Sequence, residues 1–107
     1  MRLRKKKGVE ELLTTFPNVI TNSNEYRGQW KELFLNDYPI HLEIGMGRGG
    51  FLAALSKKHP LVNYIGMERV ATLVYDAVIR LGDIHPDNLK FIWNNALNIE
   101  DILHLQK

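Results

Sequence analysis

Ile40-His41-Leu42-Glu43-Ile44-Gly45-Met46-Gly47-Arg48-Gly49-Gly50 is the stretch whose reading decides the fold. Five residues of strand character run into a glycine-rich turn, and a helical pattern opens directly behind it at Phe51-Leu52. Glycines at 45, 47 and 49 let the backbone bend sharply and leave no Cβ between it and a ligand. The helix start beyond them offers unpaired N–H groups and a partial positive charge. A strand, a glycine turn and a helix N-terminus in that order form a nucleotide-type cofactor cradle at the carboxyl end of a parallel strand.

Outward from the cradle, strands and helices alternate. The first strand, about 40–44, is followed by a helix over about 50–58 with Phe51, Leu52 and Leu55 as its expected buried side. Pro60 closes that helix, and a second strand follows over about 62–67. The cleanest periodicity lies over about 70–81, where Val70, Leu73, Val74, Ala77, Val78 and Leu81 repeat at helical spacing. Gly82 suits the stop of that helix. A turn at His85-Pro86-Asp87-Asn88 leads to a third strand, about 89–93, and Asn98 begins a last short helix carrying Ile99, Ile102 and Leu103.

The order β-α-β-α-β-α predicts an α/β fold, the first half of a doubly wound, mostly parallel sheet. Right-handed crossovers place strand one beside strand two and strand two beside strand three. A fourth strand is expected on the other side of strand one, so the 107 residues read as part of a larger domain. An open edge on strand one also makes a homodimer a possible state.

Ahead of the cradle lies an N-terminal extension, residues 9–39. A helical turn from Glu10 to Phe16 is ended by Pro17, and residues 18–24 read as a polar loop. A helix over about 25–35 places Tyr26, Trp30, Leu33 and Phe34 on one face, and Asn36-Asp37-Tyr38-Pro39 forms a turn. Residues 1–8 read as a flexible basic arm, and residues 40–107 as the cofactor-binding unit.

Composition narrows the function classes. Without cysteine there is no disulfide framework, thiolate metal site or cysteine nucleophile. No apolar run approaches the length of a membrane span, and the charged N-terminus lacks a signal-peptide core, which fits a cytoplasmic protein. His41, His59, His85 and His104 show no metal-ligand spacing, so no metal site is expected. No general base or nucleophile is apparent, and no catalytic residue is assigned. Net charge is +2, but Arg2, Arg4, Lys5, Lys6 and Lys7 crowd the first seven residues. The nine remaining Lys and Arg against twelve Asp and Glu leave residues 8–107 at −3. A basic arm on an acidic body suits phosphate-backbone contact, or simply a solvated tail.

Two cofactors compete for the cradle. Gly45, Gly47 and Gly50 match the G-x-G-x-x-G of dinucleotide enzymes, and Gly45, Gly47 and Gly49 match the G-x-G-x-G of S-adenosylmethionine enzymes. Glu43 breaks the tie. A carboxylate two residues before Gly45 would oppose a pyrophosphate but suits a cofactor with an amino group and a sulfonium. Glu68 ends strand two, 23 residues after Gly45, where an acidic side chain accepts the two hydroxyls of an adenosine ribose. Beyond strand three, Asn95 offers a donor and an acceptor to an adenine edge. The expected cofactor contacts are Glu43, Gly45, Met46 and Gly47 of the turn, Glu68 and Arg69 after strand two, and Asn95 and Ala96 after strand three. The alternatives are a dinucleotide-binding oxidoreductase half-domain and a non-enzymatic interaction module.

With those residues identified, the chain resembles the bacterial tRNA (guanine-N7-)-methyltransferases. The resemblance rests on Met1-Arg2-Leu3-Arg4-Lys5-Lys6-Lys7, on Asn36 through Phe51, and on Pro60 through Glu68, together and in order. It implies a Rossmann-like class I methyltransferase fold, S-adenosylmethionine as cofactor, and methylation of guanine N7 in the variable loop of tRNA. By that resemblance Glu43 is the acidic residue of the first cofactor motif and Glu68 the ribose carboxylate. Asn95 stands where the family commonly has an Asp, and Ala96 and Leu97 replace more polar residues. The basic arm becomes a tRNA contact. The family's Asp-Pro-Trp-Pro-type motif is expected after Lys107, so these 107 residues alone are expected to be inactive.

Overall fold

The computed structural model describes residues 8–21, 30–83 and 85–94. Its centre is a four-stranded, all-parallel sheet in the order β1-β4-β3-β2. The strands are β1 (Val19–Ile20), β2 (Ile40–Ile44), β3 (Asn63–Glu68) and β4 (Leu89–Trp93), and the helices are α1 (Val9–Leu13), α2 (Trp30–Phe34), α3 (Gly50–Lys58) and α4 (Ala71–Leu81). Chain order and sheet order agree over β2, β3 and β4, as the sequence predicts. The sheet is parallel α/β, as expected, and α3 and β4 fall where the sequence places them.

Alternation along the strands sorts the core into two layers. Val19, Tyr64, Leu89 and Phe91 face α1, α3 and α4, meeting Val9, Leu13, Leu52, Val74, Ala77 and Val78. Ile20, Ile65, Met67 and Ile92 face the other way and meet Phe34 of α2, with Leu33, Ile40 and Leu42 beside them. Register places Glu43 opposite Gly66 and Glu68 opposite Trp93, so both carboxylates rise from the α3/α4 face near the carboxyl ends of their strands.

The structure departs from expectation at several points, among them α1, which runs Val9–Leu13 rather than Glu10 to Phe16. The expected three strands are four, because Val19 and Ile20 pair with Phe91 and Ile92 instead of forming a loop. Phe91 N–H donates to the Asn18 carbonyl at 2.9 Å, and both Val19 and Ile20 are buried, so a free edge on β4 overrides a polar local composition. The second strand runs one residue later than expected and takes in Glu68. Phe51 is 62% exposed, while Leu52 and Ser56, one helical turn apart, form the buried line of α3. Leu35 ends α2 at φ 58, a left-handed position filled by an exposed leucine.

The amino ends of the strands are tied by asparagines. Asn88 Nδ2 lies 3.0, 3.2 and 2.9 Å from the carbonyls of Ser56, His59 and Val62. Asn63 Nδ2 donates to Asn36 Oδ1 at 2.7 Å, and Asn36 Oδ1 also accepts Tyr38 N–H, which closes the turn before β2. Among the described residues nothing pairs with the outer edge of β2, no helix is long and apolar enough to cross a membrane, and no acidic or histidine cluster could hold a metal. Residues 1–7, the start of the helix expected over 25–35, and the last expected helix lie outside the described residues.

Candidate functional site

The turn after β2 hangs from the end of β3. Gly45 N–H and Met46 N–H both donate to the Met67 carbonyl, at 2.9 and 3.0 Å. Gly45, Gly47 and Gly49 all adopt left-handed φ, at 72, 61 and 69°. At Gly47 a side chain would be strained by that φ even though nothing lies within 4 Å of its Cβ position. Nothing lies within 4 Å of that position at Gly45 either, so the space over the turn is open. Arg48 reaches from the turn to Asp76 of α4 at 3.4 Å, a solvent-exposed pair of small energetic weight.

Met46 does something different from its neighbours. Its amide belongs to the turn, but its side chain is buried over Gly66 of β3. A Cβ at Gly66 would overlap Met46 Sδ and come within 2.7 Å of Leu52 Cδ1. Gly66 is therefore the seat that lets the turn and α3 lie close on the sheet.

Glu68 is the hub. It is 6% exposed, and each carboxylate oxygen accepts one backbone N–H. Oε1 takes Gly47 N–H at 3.0 Å, and Oε2 takes Val70 N–H at 3.0 Å. One side chain thus joins the turn after β2, the end of β3 and the entry to α4, whose first turn has no side-chain cap of its own. A carboxylate has about four acceptor positions, so each oxygen keeps room for one further donor.

Glu43 stands on the same face, half-buried, and makes no hydrogen bond or ion pair with the described residues. Glu68, rather than Glu43, caps the glycine turn. Arg69 is exposed, and its carbonyl accepts the indole N–H of Trp93 at 3.1 Å. Asn94 N–H donates to the Glu68 carbonyl at 3.3 Å, joining the ends of β3 and β4.

An open glycine turn, a carboxylate with spare acceptor positions and a second carboxylate beside them occupy the carboxyl edge of a parallel sheet, where α/β proteins hold their ligands. A family model described as "Putative methyltransferase" matches residues 37–106, which span all of this. The chain belongs to that methyltransferase family.

Three curated relatives of this methyltransferase chain share one name. It is 43% identical over 97 residues to the "tRNA (guanine-N(7)-)-methyltransferase" of Bacillus cytotoxicus, covering 90% of this chain and 45% of the relative. Against the protein of the same name from Geobacillus sp. it is 40% identical over 100 residues, covering 92% and 46%. Against that of Listeria monocytogenes it is 36% identical over 102 residues, covering 94% and 48%. The chain spans about half the length of the curated relatives it matches.

Of the expected contacts, the structure brings Gly45, Gly47, Glu43, Glu68 and Arg69 to one edge, and turns the Met46 side chain away into the core. Asn95 and Ala96, and the arm residues Arg2, Arg4, Lys5, Lys6 and Lys7, lie outside the described residues. Sequence reasoning missed Gly66, and it placed Trp93 at the end of the third strand without finding its bond. A glycine inside an otherwise apolar strand is a signal for close backbone approach. Trp93 carried no such signal, because its partner is a main-chain carbonyl 24 residues away.

Proposed function

We propose that this chain holds S-adenosylmethionine and belongs to an enzyme that methylates guanine N7 in tRNA, in the cytoplasm. The observation that carries the reading is the 36–43% identity, over nine-tenths of the chain, to proteins named for that reaction. The geometry supports it. The spare acceptor positions of Glu68 suit the two hydroxyls of a ribose, and the open space over Gly45 and Gly47 leaves room for a ligand against the backbone. Glu43 supplies a negative charge for a cationic amino-acid moiety. When bound, the cofactor supplies an electrophilic methyl on a sulfonium.

The residues here bind and orient. Guanine N7 already carries a lone pair, so no base need remove a proton. Rate enhancement then comes from holding the nucleophile in line with the methyl. Arg2, Arg4, Lys5, Lys6 and Lys7 engage tRNA phosphates, adding affinity and position rather than base readout. Recognition of the RNA then rests on its shape and an accessible guanine. The outer edge of β2 is the surface through which a homodimer would form, and light scattering on the purified chain reads its mass directly. The dinucleotide reading has no comparable support.

Calorimetric titration of the chain with S-adenosylhomocysteine, with NAD in parallel, tests the reading. Saturable binding of the first that is lost in Glu68→Ala supports it. Binding of NAD instead, or binding indifferent to Glu68, overturns it.

A further inference from the structure

One peptide unit beside Glu68 is held at both ends. Its N–H, from Val70, donates to Glu68 Oε2 at 3.0 Å. Its carbonyl, from Arg69, accepts the Trp93 indole N–H at 3.1 Å. In a trans peptide the N–H and C=O point in opposite directions from one rigid plane, so fixing the carbonyl aims the N–H. The three groups form a continuous run from indole to peptide to carboxylate, in which each bond polarises the next.

Trp93 is well placed to be the fixed end of that run. It ends β4 in register with Glu68, and its ring packs against the cluster containing Leu89, Phe91 and Val74. Asn94 N–H, one residue on, holds the Glu68 carbonyl at 3.3 Å. The main chain and the side chain of Glu68 are therefore both referred to the end of β4. Nothing in the glycine turn performs this task, since its single bond to Glu68 comes from a Gly47 amide in open surroundings.

We infer that Trp93 is a positioning residue for ligand binding, acting through the Arg69–Val70 peptide to set the angle at which the Glu68 carboxylate meets a ligand diol. The ligand part rests on the cofactor reading above; the bond network does not. Trp93 itself touches no reacting atom in this scheme. It determines whether the spare acceptor positions on Oε1 and Oε2 face outward together.

Trp93→Phe keeps an aromatic ring in the cluster and removes the N–H. Two readouts are taken on the full 107-residue chain: affinity for S-adenosylhomocysteine, and amide hydrogen exchange at Val70 against Ile65 and Phe91 as references. The expected result is a dissociation constant roughly two- to tenfold higher, the range for one lost hydrogen bond. Val70 exchange should accelerate by a similar factor relative to the references. Unchanged affinity with unchanged Val70 exchange overturns the inference. So does uniform acceleration at all three amides, which would make Trp93 a general stabiliser. If the wild-type chain binds no S-adenosylhomocysteine, the ligand part of the inference falls with the cofactor reading, and the Val70 exchange ratio decides only whether Trp93 fixes the Arg69–Val70 peptide. If Trp93→Phe does not fold, benzothienylalanine at position 93, which keeps the indole outline without the N–H, takes its place in both measurements.

Discussion

Replacing Glu68 by Gln changes one atom and separates the two bonds that Glu68 makes. The wild-type carboxylate accepts Gly47 N–H on one oxygen and Val70 N–H on the other, both at 3.0 Å. A glutamine has one acceptor oxygen, so its NH2 must face one of the two amides, donor against donor. The oxygen is expected to stay with Val70, whose peptide is held by Trp93, leaving Gly47 to face the NH2. A bond to a charged acceptor contributes about 1.5–3 kcal/mol. Gly47 lies in an open turn where water can replace part of that loss. The net cost is then about 1–2 kcal/mol. For a domain of this size each kcal/mol moves Tm by roughly 4–8 °C, so Glu68→Gln should melt roughly 5–15 °C lower.

Circular dichroism melting supplies the magnitude, and amide exchange at Gly47 supplies the location. Ala53 N–H, bonded to the Gly49 carbonyl at 2.9 Å within the same segment, is the internal reference. Glu68→Ala loses both bonds and should fall further than Glu68→Gln. If Glu68→Gln melts within about 1 °C of wild type with Gly47 exchange unchanged, the carboxylate is not the hub described, whatever it binds.

Further expectations follow from other parts of the molecule. Gly66→Ala should cost about 1–3 kcal/mol by overpacking against Met46 and Leu52, and Met46→Ala in the same chain should recover part of it; strictly additive losses would contradict the packing. Asn88→Ala removes the amide that meets three carbonyls at the opposite end of the sheet, and should lower stability by about 1–3 kcal/mol while leaving ligand affinity of the folded protein unchanged. Leu35→Gly should raise stability by roughly 1 kcal/mol, since an exposed leucine at φ 58 carries strain that glycine does not; a lower Tm would refute this. Replacing Arg2, Arg4, Lys5, Lys6 and Lys7 by Ala should flatten the log–log salt dependence of tRNA binding by roughly 3–4 units, and an unchanged slope would remove the arm from the interface.

The parts of the fold that were legible in the sequence are those whose local pattern and tertiary setting agree. Ile40–Ile44, Gly50–Lys58 and Leu89–Trp93 are such elements: an apolar strand, a helix behind glycines, a strand behind a turn. Val19–Ile20 was not legible, because two residues become a strand only when β4 presents an open edge to them. Phe51 was misread for a related reason. Periodicity finds apolar residues on one side of a helix but cannot say how far the sheet beneath it extends, and the buried line falls on Leu52 and Ser56. In the site, the glycine turn and the two carboxylates could be read from residue type and position. The division of labour between Glu43 and Glu68 could not, because Gly47 reaches Glu68 only through the β2–β3 register, 21 residues apart in sequence.

That division has a consequence for how a ligand would be held. Glu68 is almost fully buried and its carboxylate is already oriented by two amides from different elements. Accepting two more donors would require neither new desolvation of the whole group nor loss of the bonds already made, and preorganisation of this kind raises affinity by lowering the cost of ordering. Glu43 is half-buried and has no hydrogen-bond partner among the described residues, so a ligand that engages it must strip water from it and fix its rotamer. Two carboxylates of equal formal charge on neighbouring strands are therefore unequal in what they contribute. The larger share of binding should rest on the one that looks, from its existing bonds, already occupied.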